Sequence, residues 1–243
     1  IPCMIKYIFD VDGVLCDTGQ LIDDEFSEYF KWWSKDKTYY LVTGSHKEKT
    51  IEQIGRAIPD HQEIGFHCIG NAIYPPAGGE VLINEFEFTE EEMNHFYNFW
   101  SRSIYDQKPE FDNVIEKRQG SYNFSLATRS RDRELRSHYM RHDKLYTERE
   151  NFIIQLNNNF PRLEAYAGGS VSIDICLRGA NKGQILELID TGEDTIVFFC
   201  DQYGKYGIDT PLVTKLEWLP DNRGKTYKID NGYKETWEIL KTL

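Results

Sequence analysis

The chain has 243 residues, 40% hydrophobic and 14% aromatic, enough to bury a substantial core and unlike the composition of a disordered chain. Its formal charge of −12 argues against a nucleic-acid partner, since phosphate backbones demand clustered Lys and Arg. Five scattered cysteines without a C-x-x-C pair fit free thiols in a reducing compartment, and no apolar run approaches membrane-spanning length, so a soluble cytoplasmic protein without membrane contact is expected.

Residues 4–9 form an apolar run that predicts a buried strand of a parallel sheet, and the run ends in Asp10-Val11-Asp12-Gly13. Loops at the carboxyl ends of such strands are where α/β sheets place ligands. Two carboxylates that close repel each other unless a cation or a proton comes between them. The plain alternative is a turn capped by the two aspartates, with Gly13 at positive φ. An EF-hand is excluded, because no further ligands and no Glu follow at the required spacing.

Leu21, Ile22, Phe26, Tyr29, Phe30 and Trp33 then share one side of a predicted helix. A second apolar strand, residues 39–42, runs into Thr43-Gly44-Ser45. Ser45 and Glu48 have capping-box spacing for a helix carrying Ile51, Ile54 and Ile58. This β-α-β-α opening implies a right-handed parallel sheet, followed by a loop and crossover over the Gly- and Pro-rich residues 66–79.

From Val81 the pattern changes. Alternation through Leu82, Asn84, Phe86 and Phe88 predicts a half-exposed strand, and Thr89 with Glu92 forms a capping box for the helix carrying Met93, Phe96, Tyr97 and Trp100. Residues 114–117 and 122–126 flank Gln119-Gly120 as a hairpin. A helix over residues 147–156 opens with Thr147 and Glu150, and strands follow at 163–167 and 171–176. The α/β pattern returns with a helix opening at Asn181-Lys182-Gly183-Gln184, an apolar strand over 195–199, Asp201, and a closing amphipathic helix with Tyr233, Trp237 and Leu240. The expected fold is an α/β core made of residues 1–80 and 179–243, with an inserted α+β cap over residues 81–178.

Asp10 with Asp12, Thr43 with Ser45, Lys182, and Asp201 with Asp209 all stand at strand or helix ends. Phosphoryl transfer needs a nucleophilic oxygen, an acid–base group, a divalent cation and donors to the equatorial oxygens, and this set supplies one of each. Asp10 is the expected nucleophile and Asp12 the acid–base. Asp10, Asp201 and the backbone carbonyl of Asp12, with Asp209 nearby, are the expected Mg²⁺ ligands. Lys182 would neutralise phosphate and Asp10. A strand end for Thr43, a helix cap for Ser45, a surface position for Lys182 and ordinary loop carboxylates at 201 and 209 are the alternatives. Taken one at a time those are favoured; the ordered set favours catalysis.

Asp10-Val-Asp-Gly, Leu41-Val-Thr-Gly-Ser, Lys182 and Phe199-Cys-Asp201 resemble the four motifs of the haloacid dehalogenase superfamily. That resemblance implies a Rossmann-like core, an aspartyl-phosphate and Mg²⁺. Cys200 stands where that pattern has glycine, and Val14 where it has threonine. In the cap, Glu116-Lys-Arg118-Gln-Gly120-Ser-Tyr-Asn123, Thr128-Arg129-Ser130 and Arg136 resemble the sugar-phosphate-binding stretch of eukaryotic-type phosphomannomutases, and Gly168-Gly169-Ser-Val-Ser172-Ile-Asp174 resembles their G-G-x-x-S-x-D segment. The loop Asp201-Gln-Tyr-Gly-Lys-Tyr-Gly207-Ile-Asp209 keeps that family's length without its paired glycines and asparagine.

Arginines offer bidentate forks to a second phosphate, and Ser172 and Asp174, two apart on a strand, share a face from which to bind sugar hydroxyls. Arg118, Arg129 and Arg136 are therefore expected to bind substrate with Thr43, Ser45, Ser172 and Asp174. Arg131, Arg133 and Arg141 are expected at the surface. The resemblance implies a Mg²⁺-dependent mutase interconverting hexose 6- and 1-phosphates, hexose 1,6-bisphosphate as an activator, and a homodimer through the cap. A sugar-phosphate phosphatase on the same scaffold is the main rival, and a non-catalytic sugar-phosphate-binding protein a weaker one.

Overall fold

The computed structural model describes residues 3–243. The core begins with β1 (Ile5–Phe9), α1 (Asp24–Trp33), β2 (Thr38–Val42), α2 (Lys47–Ile54), α3 (Ala57–His61), β3 (Gly65–His67), β4 (Ala72–Tyr74) and β5 (Val81–Leu82). An inserted unit follows, with α4 (Glu90–Arg102), β6 (Ile115–Lys117), β7 (Ser121–Phe124), α5 (Arg133–Tyr146), α6 (Glu148–Asn159), β8 (Leu163–Gly168) and β9 (Ser172–Leu177). The chain re-enters the core through a 3-10 turn, Lys182–Ile185, then α7 (Leu186–Ile189), β10 (Thr195–Cys200), α8 (Thr210–Glu217), β11 (Gly224–Lys228) and α9 (Tyr233–Leu240).

The core sheet runs β11-β10-β1-β2-β3-β4-β5, parallel from β11 to β3 and antiparallel at β4 and β5. β1 lies between two parallel neighbours, as its apolar run requires. Alternation along it sorts the two layers. Tyr7 and Phe9 pack with Phe26, Phe30, Trp33 and Leu240 on one face, while Ile8 packs with Leu186, Leu212 and Leu216 on the other.

The inserted unit is an antiparallel sheet, β6-β7-β9-β8, with helices over one face. Tyr122, Phe124, Ile173 and Ile175 turn into a core with Phe96, Phe152 and Leu156. With a period of two, Asn123, Ser172 and Asp174 must turn the other way, towards the α/β core. This alternation is what aims the polar face of the cap at the carboxyl ends of β1, β2 and β10.

Several expectations are corrected. Val81–Leu82 pairs with Ala72 and Ile73 in the large sheet, instead of opening a strand that runs to Phe88. α2 is capped by His46, whose Nδ1 accepts from the Lys49 N–H, so Ser45 is left free of that duty. Gly55, at φ +76°, ends α2, and Ile58 belongs to α3. Thr147 sits in a left-handed conformation between α5 and α6, which denies it the extended backbone of a side-chain cap. The Thr89–Glu92 capping box forms as expected.

Candidate active site

The ends of β1, β2 and β10 meet the polar face of the cap around a cleft of about 440 Å³. Asp10, Asp12, Thr43, Ser45, Arg118, Arg129, Arg136, Ser172, Asp174, Lys182 and Asp201 all line it. Asp209 is fully buried beside it, within reach of Lys182.

Lys182 is the pivot. Its Nζ lies 3.1 Å from Asp10 Oδ2 and donates to Asp209 Oδ1 at 2.6 Å, with the lysine 1% exposed. The surface position open to a first-turn lysine is thereby ruled out. Burial works against its charge, but Asp10 and Asp209 outweigh that and hold it above the usual lysine range. Burial, then Asp209, pushes the Asp10 carboxyl well above the usual carboxylate range; Lys182 opposes them. Asp201 is pushed up to about 7 by burial and by Asp209.

One oxygen from each of Asp10, Asp201 and Asp209 lies within 4.8 Å of the others. Asp201 Oδ1 is buried without a protein donor, and three carboxylates, two of them on buried residues, outnumber the one ammonium among them. An oxygen-rich set short of positive charge fits a hard divalent cation. The Asp12 carboxylate is turned elsewhere: its Oδ1 accepts from the Gly19 N–H and from Gln53 Nε2, both at 2.8 Å. Its expected share in metal binding is through the backbone carbonyl.

At the end of β2, Thr43 Oγ1 accepts from the Ser45 N–H at 3.1 Å, which leaves the hydroxyl hydrogen free for the cleft. Cys200 and Val14, the two departures from the motif pattern, both pack in apolar clusters and bring no polar group to the site.

The cap side is built on Asp174. Its Oδ1 accepts from Asn123 Nδ2 at 2.9 Å and from Arg118 Nη1 at 3.3 Å, and Arg118 Nη1 also donates to Gly44 O of the core at 2.7 Å. Arg118 Nε pairs with Glu116, so this arginine clamps cap to core as well as lining the cleft. Arg129 is held by Asn123 and by Val114 O, and Arg136 by Ser170 Oγ and Ser130 O. The Arg136 guanidinium lies 2.9 Å from where a Cβ on Gly19 would stand, so only glycine lets it come down beside Asp12. Ser172 Oγ donates to Gly168 O at 3.0 Å.

Arg131 is exposed at the lip of the cleft, where it pairs with Glu52 at 2.9 Å, and Arg133, 70% exposed and 3.6 Å from Asp17, is the surface residue expected. Gly19, Lys49 and Gln53 stand outside the sequence patterns, and Asn123 enters them only as the end of the cap stretch, with no role of its own. Gln53 carried one faint signal, a polar residue at a helical position beside Ile54 and three from Thr50, on the buried side of α2.

Comparisons with known proteins agree with this geometry. A family model described as eukaryotic phosphomannomutase matches residues 26–236. A probable phosphomannomutase of Caenorhabditis elegans is 29% identical over 215 residues, 83% of each chain. A phosphomannomutase of Spinacia oleracea is 28% identical over 214 residues, 86% of this chain and 85% of its own. Among solved structures, an N-terminally truncated, IMP-bound IMP-nucleotidase of Plasmodium falciparum aligns with a TM-score of 0.57 at 16% identity, over 98% of this chain and 68% of that one. Trehalose-6-phosphate phosphatase of Aspergillus fumigatus aligns with a TM-score of 0.56 at 14% identity, over 98% and 92%. At such identity these two speak for the fold alone, an α/β core with an inserted cap. The family match starts after Asp10, Asp12 and Gly19 and takes in the other cleft residues named above, and over that span the chain belongs to the eukaryotic phosphomannomutase family.

Proposed function

We propose that the protein is a Mg²⁺-dependent hexose phosphate mutase that moves a phosphoryl group between C6 and C1 of mannose or glucose through an ester on Asp10. The observation that carries this reading is one cleft with two cationic poles. Lys182 stands beside Asp10 on the core side, and Arg118, Arg129 and Arg136 stand on the cap side. A hexose bisphosphate has a charge for each.

In the forward half, an Asp10 carboxylate oxygen attacks phosphorus as the ester P–O bond breaks, and Asp12 gives its proton to the departing oxygen. In the return half, Asp12 takes the proton of the free hydroxyl of a hexose monophosphate as that oxygen attacks phosphorus and the Asp10–P bond breaks, which makes the bisphosphate whose other phosphoryl group Asp10 takes in the next forward half. Thr43 and Ser45 donate to the equatorial oxygens, and Lys182 offsets the charge shared by Asp10 and the phosphoryl group. Ser172 and Asp174 hold sugar hydroxyls between the poles. Mg²⁺ held by Asp10, Asp201 and the Asp12 carbonyl, with Asp209 nearby, would add positive charge beside the transferring oxygens. A hexose 1,6-bisphosphate would prime the cycle by esterifying Asp10. A homodimer through the cap and a cytoplasmic location belong to the same proposal.

The second reading, a sugar-phosphate phosphatase, has the same fold in its favour, since trehalose-6-phosphate phosphatase shares it. Both readings use Asp10 and Asp12 alike, and the closed cap decides between them by keeping water from the esterified Asp10. Incubation with mannose 1-phosphate, Mg²⁺ and a trace of hexose 1,6-bisphosphate, followed by phosphorus NMR, separates them. Mannose 6-phosphate without free phosphate is expected; stoichiometric inorganic phosphate would install the phosphatase instead.

A further inference from the structure

A buried polar side chain of α2 is aimed at the acid–base carboxyl. Gln53 is 2% exposed, and its Nε2 donates to Asp12 Oδ1 at 2.8 Å and to Gln20 O at 3.3 Å, with Cys16 Sγ at 3.8 Å. The amide orientation follows from its neighbours. Turned over, Oε1 would face a carboxylate oxygen and a carbonyl oxygen, acceptor against acceptor. As it stands, Oε1 is buried with no protein donor, so the side chain gives up one hydrogen bond to keep its N–H groups on this corner of the site.

The same Asp12 oxygen also accepts from the Gly19 N–H at 2.8 Å. A carboxylic acid with two donors on one oxygen keeps that oxygen as its carbonyl and carries its proton on the other. We infer that Gln53 is the positioning residue of the acid–base step: with the Gly19 amide it holds Asp12 by Oδ1, so that Oδ2 alone carries the proton to and from the reacting sugar oxygen.

This inference rests on the proposed role of Asp12, and not on whether sugar or water finally receives the phosphoryl group. Proton delivery matters for a leaving alkoxide and little for a leaving nitrophenolate, which departs without a proton. A packing role would not discriminate between the two. The experiment therefore measures the release of the leaving group from a hexose 6-phosphate and from p-nitrophenyl phosphate, for wild type, Asp12→Ala, Gln53→Met and Gln53→Glu. Gln53→Met keeps length and volume and loses the donor. Gln53→Glu keeps shape and sets an acceptor against Asp12 Oδ1.

Both Gln53 variants are expected to lose at least about tenfold more kcat/KM on the hexose phosphate than on the aryl ester, in the same sense as Asp12→Ala, part of the 10²–10⁴-fold that general acid catalysis is worth. Equal losses on the two substrates, or no loss on either, would overturn the inference. A wild type releasing hexose and inorganic phosphate without isomerising sugar would refute the mutase reading and leave this comparison intact.

Discussion

At Lys182, one ammonium serves two buried carboxylates, 3.1 Å from Asp10 and 2.6 Å from Asp209, with Asp201 in the same cluster. Removing one member of a buried ion pair strands its partner's charge, at a cost of about 3–5 kcal/mol. Lys182→Met should lose about that much stability in urea denaturation without metal and regain part of it with Mg²⁺; a variant as stable as wild type would mean the carboxylates are neutral without the lysine. The pH dependence follows from Asp201, whose carboxyl is pushed up to about 7, against an unfolded value of about 3.9. Between those values the folded chain binds more protons than the unfolded one. The stability this site contributes is therefore present at low pH and lost as pH rises through about 7. A divalent cation needs the proton gone, so the rise in Tm given by saturating Mg²⁺ should grow from about pH 5 to about pH 8. A metal-induced shift that is flat across that range would count against Asp201 as a ligand. These acidic residues were legible because each ends an apolar strand or opens a helix. Gln53 was not, because its one faint signal, a place beside Ile54 on the helix, does not say that a glutamine there meets a carboxylate from another loop.

Among the elements, the two crossings between core and cap meet at one side chain. Asn71 is fully buried; its Nδ2 donates to the carbonyls of Cys68, Gly120 and Ala180 at 3.1, 3.2 and 3.1 Å, and its Oδ1 accepts from Asn84 and Gln184. Those partners belong to the core, the outgoing linker, the β6–β7 turn and the returning linker. Asn71→Ala leaves several of these groups unpaired, and at about 1–3 kcal/mol for a buried unpaired group it should cost roughly 3 kcal/mol in denaturant unfolding. A loss under about 1 kcal/mol would show that the linkers are fixed by other contacts. Elements that bury an apolar run were readable in advance: β1, β2, β10, the β6–β7 hairpin and α4 with its capping box. α5 was not: Leu135, Tyr139 and Tyr146 recur at helical spacing, but only Tyr139 is buried and charged residues fill many of the other positions. β11 is a half-buried edge strand with a polar sequence, and α2 takes its cap from a histidine, a residue that capping patterns do not favour.

For the whole molecule the question is how a chain of charge −12 would hold the twice-phosphorylated sugar proposed for it away from water. Charge is balanced locally: Lys49, Lys182 and four arginines line the cleft beside six carboxylates, so the lining is formally neutral in a chain of −12. Closure rests on contacts of two kinds. Backbone pairing joins Ala167 to Tyr206 and Ile208, at 2.7 and 3.2 Å, and Arg118 reaches Gly44 O, all buried or shielded. Exposed contacts come from the loop before α5, where Arg131 pairs with Glu52 at 2.9 Å and its carbonyl accepts from Gln20. A single exposed pair is worth less than about 1 kcal/mol, small enough for the cap to open in each cycle. Reversing its sign should therefore loosen closure without unfolding the protein. In Glu52→Arg, two like charges face each other across the lip. If the closed cap is what separates a mutase from a phosphatase, water should reach the esterified Asp10 more often. The ratio of inorganic phosphate to isomerised hexose phosphate, read by phosphorus NMR under the mutase conditions above, should rise a few-fold. An unchanged ratio with a normal fold would place the barrier to water in the buried contacts at Ala167 and Arg118, and leave the lip pair as no more than a surface ion pair.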